Sequence, residues 1–500
     1  MPSINEILTT ASDLLFSWVL VVLLVAGGLF LTVRTRAVQV RHAAGILSAV
    51  RGSRSGAHGG ITSFQAFAVG LASRVGTGNI VGVALALIMG GPGAVLWMWV
   101  VAVLGTATAF SESTLAQIFK VRRADGTYRG GPAHYIARGM GLPALGAVFA
   151  VVFMIANGLA MPMLQANAIA SSLASATPIT PQVGALIIVA LTAPVLLGGL
   201  RSIARTAELL APVMALAYLV LVVVILLTHP VQAWQALESI WGSALGLRQG
   251  LAGVAGGAFA ALLNGVRRGL FSNEAGLGGA ACAAGSATVA HPVQQGFIQA
   301  FGVLVDTLLI CTATALAILV AGPAVYAPGV TTAEAANTLT QDAIAHLVGQ
   351  WSRGPMVILI VVLAYTTIIG AFSYAQICLD YLTDRPWAAR LLQVSAVACA
   401  AVGSLQAMTT VWALADVMLG LGAILNLVAI LVLSRWVVGA LRDWEAQTRH
   451  LRAGEDGSAQ GAGARGAGDR VGTGGPAFHA DSPHLPAELS TAAWPRRPRH

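Results

Sequence analysis

Two stretches of the chain place arginine, asparagine and carboxylate among glycines inside otherwise apolar sequence: 73-SRVGTGNIVGVA-84 and 265-GVRRGLFSNEAGLGGA-280. In the first, Gly76 and Gly78 favour unwinding, because glycine costs a helix interior about 1 kcal/mol relative to alanine. An unwound turn releases backbone carbonyls that can face a cation. It also exposes, from about Asn79 onward, the N–H groups of a new half-helix, which favour an anion. Asn79 adds a side-chain carbonyl and a donor. The bland alternative is close helix packing, for which the Gly78 to Gly82 spacing is suited. Packing does not account for Arg74 and Asn79, which are costly at membrane depth. The second stretch sets Arg267, Arg268, Asn273 and Glu274 among Gly265, Gly269, Gly276, Gly278 and Gly279. A polar loop is the alternative there, but it would leave 281–290 too short to cross a membrane.

Membrane depth is implied by composition. The 500 residues are 56% apolar and 10% charged, and the mean hydropathy is +0.77. Soluble domains carry roughly 25% charged residues, so these few could not cover a soluble surface of this size, and the lipid bilayer is the expected partner. The net charge of +8 does not point to nucleic acid, because the basic residues lie in short loops between apolar runs, as topology determinants do. Cys282, Cys311, Cys378 and Cys399 sit in apolar segments without metal or disulfide spacing. The apolar run 14–33 is too long for a cleavable signal peptide and has no basic region before it.

Some 20 apolar residues cross the hydrocarbon. That rule gives eleven candidate spans, centred on 14–33, 61–91, 93–119, 143–175, 182–200, 207–228, 250–290, 296–321, 355–380, 388–405 and 410–436. Loops 34–60, 120–142, 201–206 and 381–387 carry twelve arginines and Lys120, whereas 229–249 and 322–354 hold only Arg248 and Arg353. With eleven spans the basic loops share one side. The bias makes that side cytoplasmic, the N-terminus external and the C-terminus cytoplasmic.

The interrupted segments 61–91 and 250–290 each open a set of five spans. Paired interruptions point to an inverted-repeat transporter, since an odd number of spans per repeat inverts the second copy. The expected architecture is an all-α polytopic membrane protein. It comprises an N-terminal helix and basic loop (1–60), a first five-helix repeat (61–228) and a second (250–436). A Gly-, Ala- and Pro-rich tail (446–500) follows and is expected to be disordered.

The run 76-GTGNIVGVALALIMGGPGAVLWMW-99 resembles a signature of the alanine/glycine:cation symporters, and so does 269-GLFSNEAGLG-278. The pieces 130-GGPAHYIARGMG-141, 165-QANAIA-170 and 305-VDTLLICTATA-315 are similar too, and the likeness runs from about 61 to 436. Where family members commonly show Ser and Pro, this chain has Gly279–Ala281 as Gly-Ala-Ala. The resemblance implies the leucine-transporter fold, a five-plus-five inverted repeat here preceded by one helix. It implies import of alanine or glycine with Na⁺ as coupling ion, no other cofactor, and a bacterial cytoplasmic (inner) membrane. It also implies that the carbonyls of Ala72, Val75 and Leu363 and the hydroxyls of Thr366 and Thr367 hold Na⁺. The alternative for the threonines is bonding back to their own helix. The substrate carboxylate is expected at the N–H groups of Gly76, Thr77, Gly78 and Asn79, with Gln165 and Asn273 as further substrate contacts.

Glu274 is expected to pair structurally with Arg268 or Arg74, with binding of the substrate amine as the alternative, and Glu112, Asp306 and Asp416 to pair with buried arginines. Each of these last three is alternatively a proton relay. A proton-coupled carrier using Asp306 or Glu112 therefore stands as the second reading, and a channel as a third. Residues for enzyme chemistry or ATP-driven transport do not appear in any recognisable spacing.

Overall fold

The apolar runs become helices because a backbone in lipid must satisfy its own polar groups. The computed structural model describes residues 4–51, 53, 61–246, 254–458, 476–487, 489 and 493–496. Apart from a two-stranded hairpin, Val121–Arg122 with Tyr128–Arg129, its regular structure is helical. Among the described residues, seven helices are long and apolar enough to cross: Ala94–Ile118, Pro143–Ala176, Gly199–Thr228, Pro292–Val320, Gln350–Leu382, Pro386–Gly403 and Met408–Val432. The pair Ser63–Arg74 and Gly78–Gly90, bent by 48°, makes an eighth, and Val21–Arg34 and Gln182–Leu197 are shorter apolar helices. The second interrupted segment is Val254–Asn273 followed by Gly279–Gly285. Arg267, Arg268 and Asn273 make this segment less apolar than those seven helices.

Both interruptions lie where the glycines predict them. The first helix stops at Arg74 and restarts in a wide, π-type turn at Gly78–Gly82. The second stops at Asn273, passes through left-handed backbone at Glu274, Gly276 and Gly278, and restarts at Gly279. Another π-type stretch, Leu304–Cys311, carries Asp306. Such wide turns recur at functional sites.

The loops sort into two faces as the charge bias predicts. Thr288 donates its N–H to the Ile61 carbonyl (3.1 Å), Arg123 pairs with Asp380 and Asp384, Gln65 donates to Glu208, and Arg41 pairs with Glu445. The basic loops thus gather on one face with the 434–458 helix. On the other face Trp99 meets Trp241 and the Tyr326 hydroxyl donates to the Leu87 carbonyl. The helix Ile4–Leu14 packs there too, where Arg267 reaches Asp13.

The tail corrects one expectation. The helix beginning at Ser434 runs to Ser458 rather than ending near 446. Phe478, Ala480, Leu489 and Trp494 are buried against the basic face. Composition alone misjudges this segment because its few apolar residues meet a groove that other parts of the chain supply. Residues 459–475 lie outside the described residues.

Candidate functional site

At the first break the helical ladder fails at a specific bond. The next turn would close with Gly76 N–H on the Ala72 carbonyl. Instead, Gly76 N–H donates to Asn79 Oδ1 (3.0 Å). The Ala72 carbonyl is released from that bond and faces Thr367 on the Arg353–Leu382 helix. Thr367 Oγ1 lies 3.0 Å from Ala72 O, 3.1 Å from Leu363 O and 3.5 Å from Val75 O. One hydroxyl proton serves one carbonyl well at a time, so surplus oxygen lone pairs converge there. Thr366 Oγ1 joins the edge of the set, 2.9 Å from Leu363 O, with the Met214 sulfur at 3.2 Å. The five oxygens that the family resemblance implies are therefore neighbours. Both threonines also bond back to their own helix at the Leu363 carbonyl.

Two glycines permit this approach. A Cβ on Gly76 would lie 2.0 Å from Thr367 Oγ1. One on Gly370, a turn beyond Thr367, would lie 2.7 Å from the Ser73 nitrogen. The spacing of Thr367 and Gly370 puts a polar and a small residue on one helical face, a signal that could have been read from sequence.

Beside the oxygen cluster, Thr77 N–H donates to Gln165 Oε1 (3.2 Å) from the Met161–Ala176 helix. Gln165 Nε2 and Thr77 Oγ1 are buried and have no partner among the described residues. Unpaired buried donors are rare and point to a missing acceptor. Thr77 and Gln165 together offer N–H and O–H groups of the kind a carboxylate takes. Phe271 and Trp412 pack against the restarted helix, at Gly78 and Gly82. Their rings are 4.8 Å apart, and a Cβ on Gly78 would meet Phe271 at 3.1 Å.

Asn79 is at the site but acts differently from its expected direct contact. Its amide donates to Asp306 Oδ1 (2.5 Å), to Ser272 Oγ (3.3 Å) and toward Cys311 Sγ (3.3 Å). Ser272 donates to the other Asp306 oxygen, as does Thr307 at 3.1 Å. Asn79 therefore ties the first break to the helix preceding the second and to the π-type stretch. Ser272 and Thr307 were not singled out from sequence, since hydroxyls adjoining apolar residues carry no local signal.

Asn273 is not brought to the first break. Its Oδ1 accepts from Ala275 N–H (2.9 Å) within its own turn, and its amide nitrogen faces Gly105. Glu274 pairs with neither arginine and instead accepts from the Ser73 hydroxyl (2.8 Å). The cause is its left-handed backbone, φ +54°, together with the turning of Arg268 toward Asp416 (3.2 Å) and the Trp412 ring (4.6 Å). Arg267 takes the same carboxylate at 2.7 Å, so the arginine pairing expected for Asp416 is present.

For Glu112 and Asp306 it is absent among the described residues. Glu112 accepts from Asn426 (2.9 Å), whose amide also reaches the Gly276 carbonyl (2.9 Å). Arg74 reaches the Gln299 carbonyl (3.3 Å) and side chain (3.2 Å). Gly302 leaves room for it, since a Cβ there would lie 2.3 Å from Nη1. These acids were expected to find arginines because buried charges usually pair. Here amides and hydroxyls hold them: Asn426 for Glu112, and Asn79, Ser272 and the adjacent Thr307 for Asp306.

Known proteins resemble this chain over most of its length. The family described as the sodium:alanine symporter family matches residues 1–458. The chain is 39% identical to a probable sodium/glutamine symporter of Bacillus subtilis (strain 168) over 454 residues, covering 91% of this chain and 92% of the relative. It is 33% identical to a sodium/alanine symporter of Methanococcus maripaludis, covering 87% and 95%. A solved structure of a Na⁺-coupled sialic acid symporter, substrate-bound and outward-open, is similar in fold. Its TM-score is 0.51 at 13% identity, over 89% of this chain and 92% of that one.

Proposed function

The chain belongs to the sodium:alanine symporter family, and from that premise we propose that it imports a small neutral amino acid, alanine or glycine, down the Na⁺ gradient by alternating access. The observation that carries the ion assignment is the gathering of Ala72 O, Val75 O and Leu363 O within 3.5 Å of one hydroxyl, Thr367 Oγ1. A hard monovalent cation suits several neutral oxygens. Na⁺ would replace the hydroxyl proton as the positive centre. Since its ligands come from the broken helix and from the Arg353–Leu382 helix, ion binding would clamp the two together. Asn79 would keep the Ala72 carbonyl available by holding Gly76 N–H.

The substrate carboxylate would take the Thr77 hydroxyl and the Gln165 amide, whose unpaired donors support this placement, with Thr77 N–H, now on Gln165 Oε1, turning to it as well. The close approach of Phe271 to Gly78 favours a small side chain over the glutamine in the name of one relative. Eleven crossings in a five-plus-five inverted repeat, with the basic-loop face cytoplasmic in an inner membrane, complete the reading.

The test is uptake of radiolabelled alanine into proteoliposomes. Uptake is expected to collapse when Na⁺ is replaced by choline, and to be competed by glycine more strongly than by glutamine. Unchanged uptake in choline would sink the ion assignment.

Asp306 favours a second reading, proton coupling, because the carboxylate is wholly buried and has no cation within ion-pair distance among the described residues. Uptake driven by an imposed pH gradient without Na⁺ would select it.

A further inference from the structure

The segment beyond the family match, which ends at residue 458, returns to the basic-loop face and closes on the loop 284–291. That loop joins the cytoplasm-facing ends of both broken helices in the proposed orientation. Gly279–Gly285 runs directly into it, and its Thr288 N–H bonds the Ile61 carbonyl just ahead of Ser63–Arg74 (3.1 Å). The loop is held from the scaffold side by Gln117, whose amide reaches Ala287 O at 2.9 Å, and by Lys120, at 3.3 Å from the same oxygen.

The tail then covers this junction. Phe478 N–H donates to the Ala290 carbonyl (2.9 Å), and its ring stands edge-on to His291 (5.2 Å) and Trp494 (5.1 Å). Trp494 donates its indole N–H to the Gln117 carbonyl (3.0 Å), and its ring lies 4.2 Å from Lys120 Nζ, which has the Tyr128 ring on another side at 4.4 Å. Ser482 donates to Asp443 Oδ1 (2.5 Å), and His291 meets the other oxygen of that carboxylate (3.2 Å). Ala477 and Gln447 exchange two bonds of 2.8 Å.

We propose that this surface is a docking groove for the chain's own C-terminal segment, residues 476–487, 489 and 493–496, and that the docked segment is a latch opposing opening toward the basic-loop face. Opening there requires the broken helices to move against the surrounding bundle. The segment bridges the two parts. Phe478 holds the loop that carries the broken-helix ends. Trp494 holds the end of Ala94–Ile118, and Ser482 and Ala477 hold the Ser434–Ser458 helix. A contact made only in the closed state stabilises that state and slows or depopulates the open one. The proposal goes beyond sodium-coupled uptake and rests on that reading.

The experiment compares the full chain with Phe478→Ala plus Trp494→Ala in proteoliposomes, and follows hydrogen exchange of the 284–291 amides in the same preparations. Release of the latch raises the maximal uptake rate about threefold or more and speeds exchange in that loop, as a biased two-state equilibrium requires. A second pair of arms uses Gln447→Cys with Ala477→Cys, oxidised or reduced, beside a parent chain given the same oxidant. Locking the segment lowers uptake about threefold or more, and reduction restores it. An unchanged rate in the alanine variant, or full uptake with the segment locked, overturns the latch even if exchange changes. Should the alanine variant not fold, the lock decides alone. A parent that does not transport overturns the transport reading and the latch with it, whereas a transporting parent with an unmoved rate overturns the latch alone.

Discussion

At the first break the backbone opens around a single hydroxyl; at the second it is driven through three left-handed residues, Glu274, Gly276 and Gly278. The first frees carbonyls and turns them toward Thr367. At the second, the side chains are spent locally. Asn273 closes its own turn, Glu274 reaches back to Ser73, and the Gly276 carbonyl is taken by Asn426. A Cβ at Gly276 would lie 2.6 Å from Leu427, and one at Gly278 2.6 Å from Pro132. Two interruptions of similar composition thus divide the labour. One turns freed carbonyls toward a neighbouring helix. The other is a turn whose conformation lets the helix pass between neighbours.

The largest effect should separate these roles. Gly76→Ala puts a Cβ where Thr367 Oγ1 now lies, at 2.0 Å. Loss of that close approach is expected to raise half-saturating Na⁺ by about 100-fold or more, beyond the loss of one hydrogen bond. Gly276→Ala, at φ +89°, should instead lower thermal stability by about 1–3 kcal/mol, the scale of forced backbone strain, with Na⁺ titration of the folded fraction unchanged. If the two variants share one phenotype, the division fails.

Thr367→Val is expected to raise half-saturating Na⁺ by about 10- to 150-fold, the scale of a lost buried polar contact. Thr366→Val should cost about threefold, because its hydroxyl sits at the edge of the cluster and reaches Leu363 O but neither freed carbonyl of the broken helix. Equal shifts would place the ion between the two threonines instead of at Thr367.

Asn79→Ala leaves Gly76 N–H free to rejoin the Ala72 carbonyl and strips Asp306 of its amide donor. About a tenfold rise in half-saturating Na⁺ is expected from either loss. A shift in alanine affinity with none in Na⁺ would show that Asn79 touches substrate directly.

The smallest effect is expected for Glu274→Gln. The Ser73 hydroxyl keeps an acceptor and no ion pair is lost, so uptake should stay within about threefold of the parent, the cost of weakening one charge-assisted bond. A tenfold loss would make the Glu274 charge functional and bring the second break back into the site.

Much of this plan was open to a reading of local pattern. The spans follow from apolar runs, the breaks from Gly76, Gly78, Gly276 and Gly278, and the grouping of loops from arginine placement. The pairing of Ala72, Val75 and Leu363 with Thr367 came through family resemblance, and the geometry brings those atoms together. The partners of Glu112, Asp306 and Glu274 were misread, because the rule that buried acids find arginines ignores competing amides and hydroxyls.

The sequence by itself determined where helices form and fail, since hydrophobicity and glycine's helix cost act within a few residues of where they are written. Only the tertiary structure decided what the freed groups meet. Asn79 and Asp306 are 227 residues apart, and Ala72 and Thr367 are 295 apart. Which side chains face each other across such separations depends on helix rotation and packing, to which every contact in the bundle contributes. The tail makes the same point. Phe478 and Trp494 are too few to fold alone, and they become buried only because Gln117, Ala290 and Asp443 assemble a surface for them.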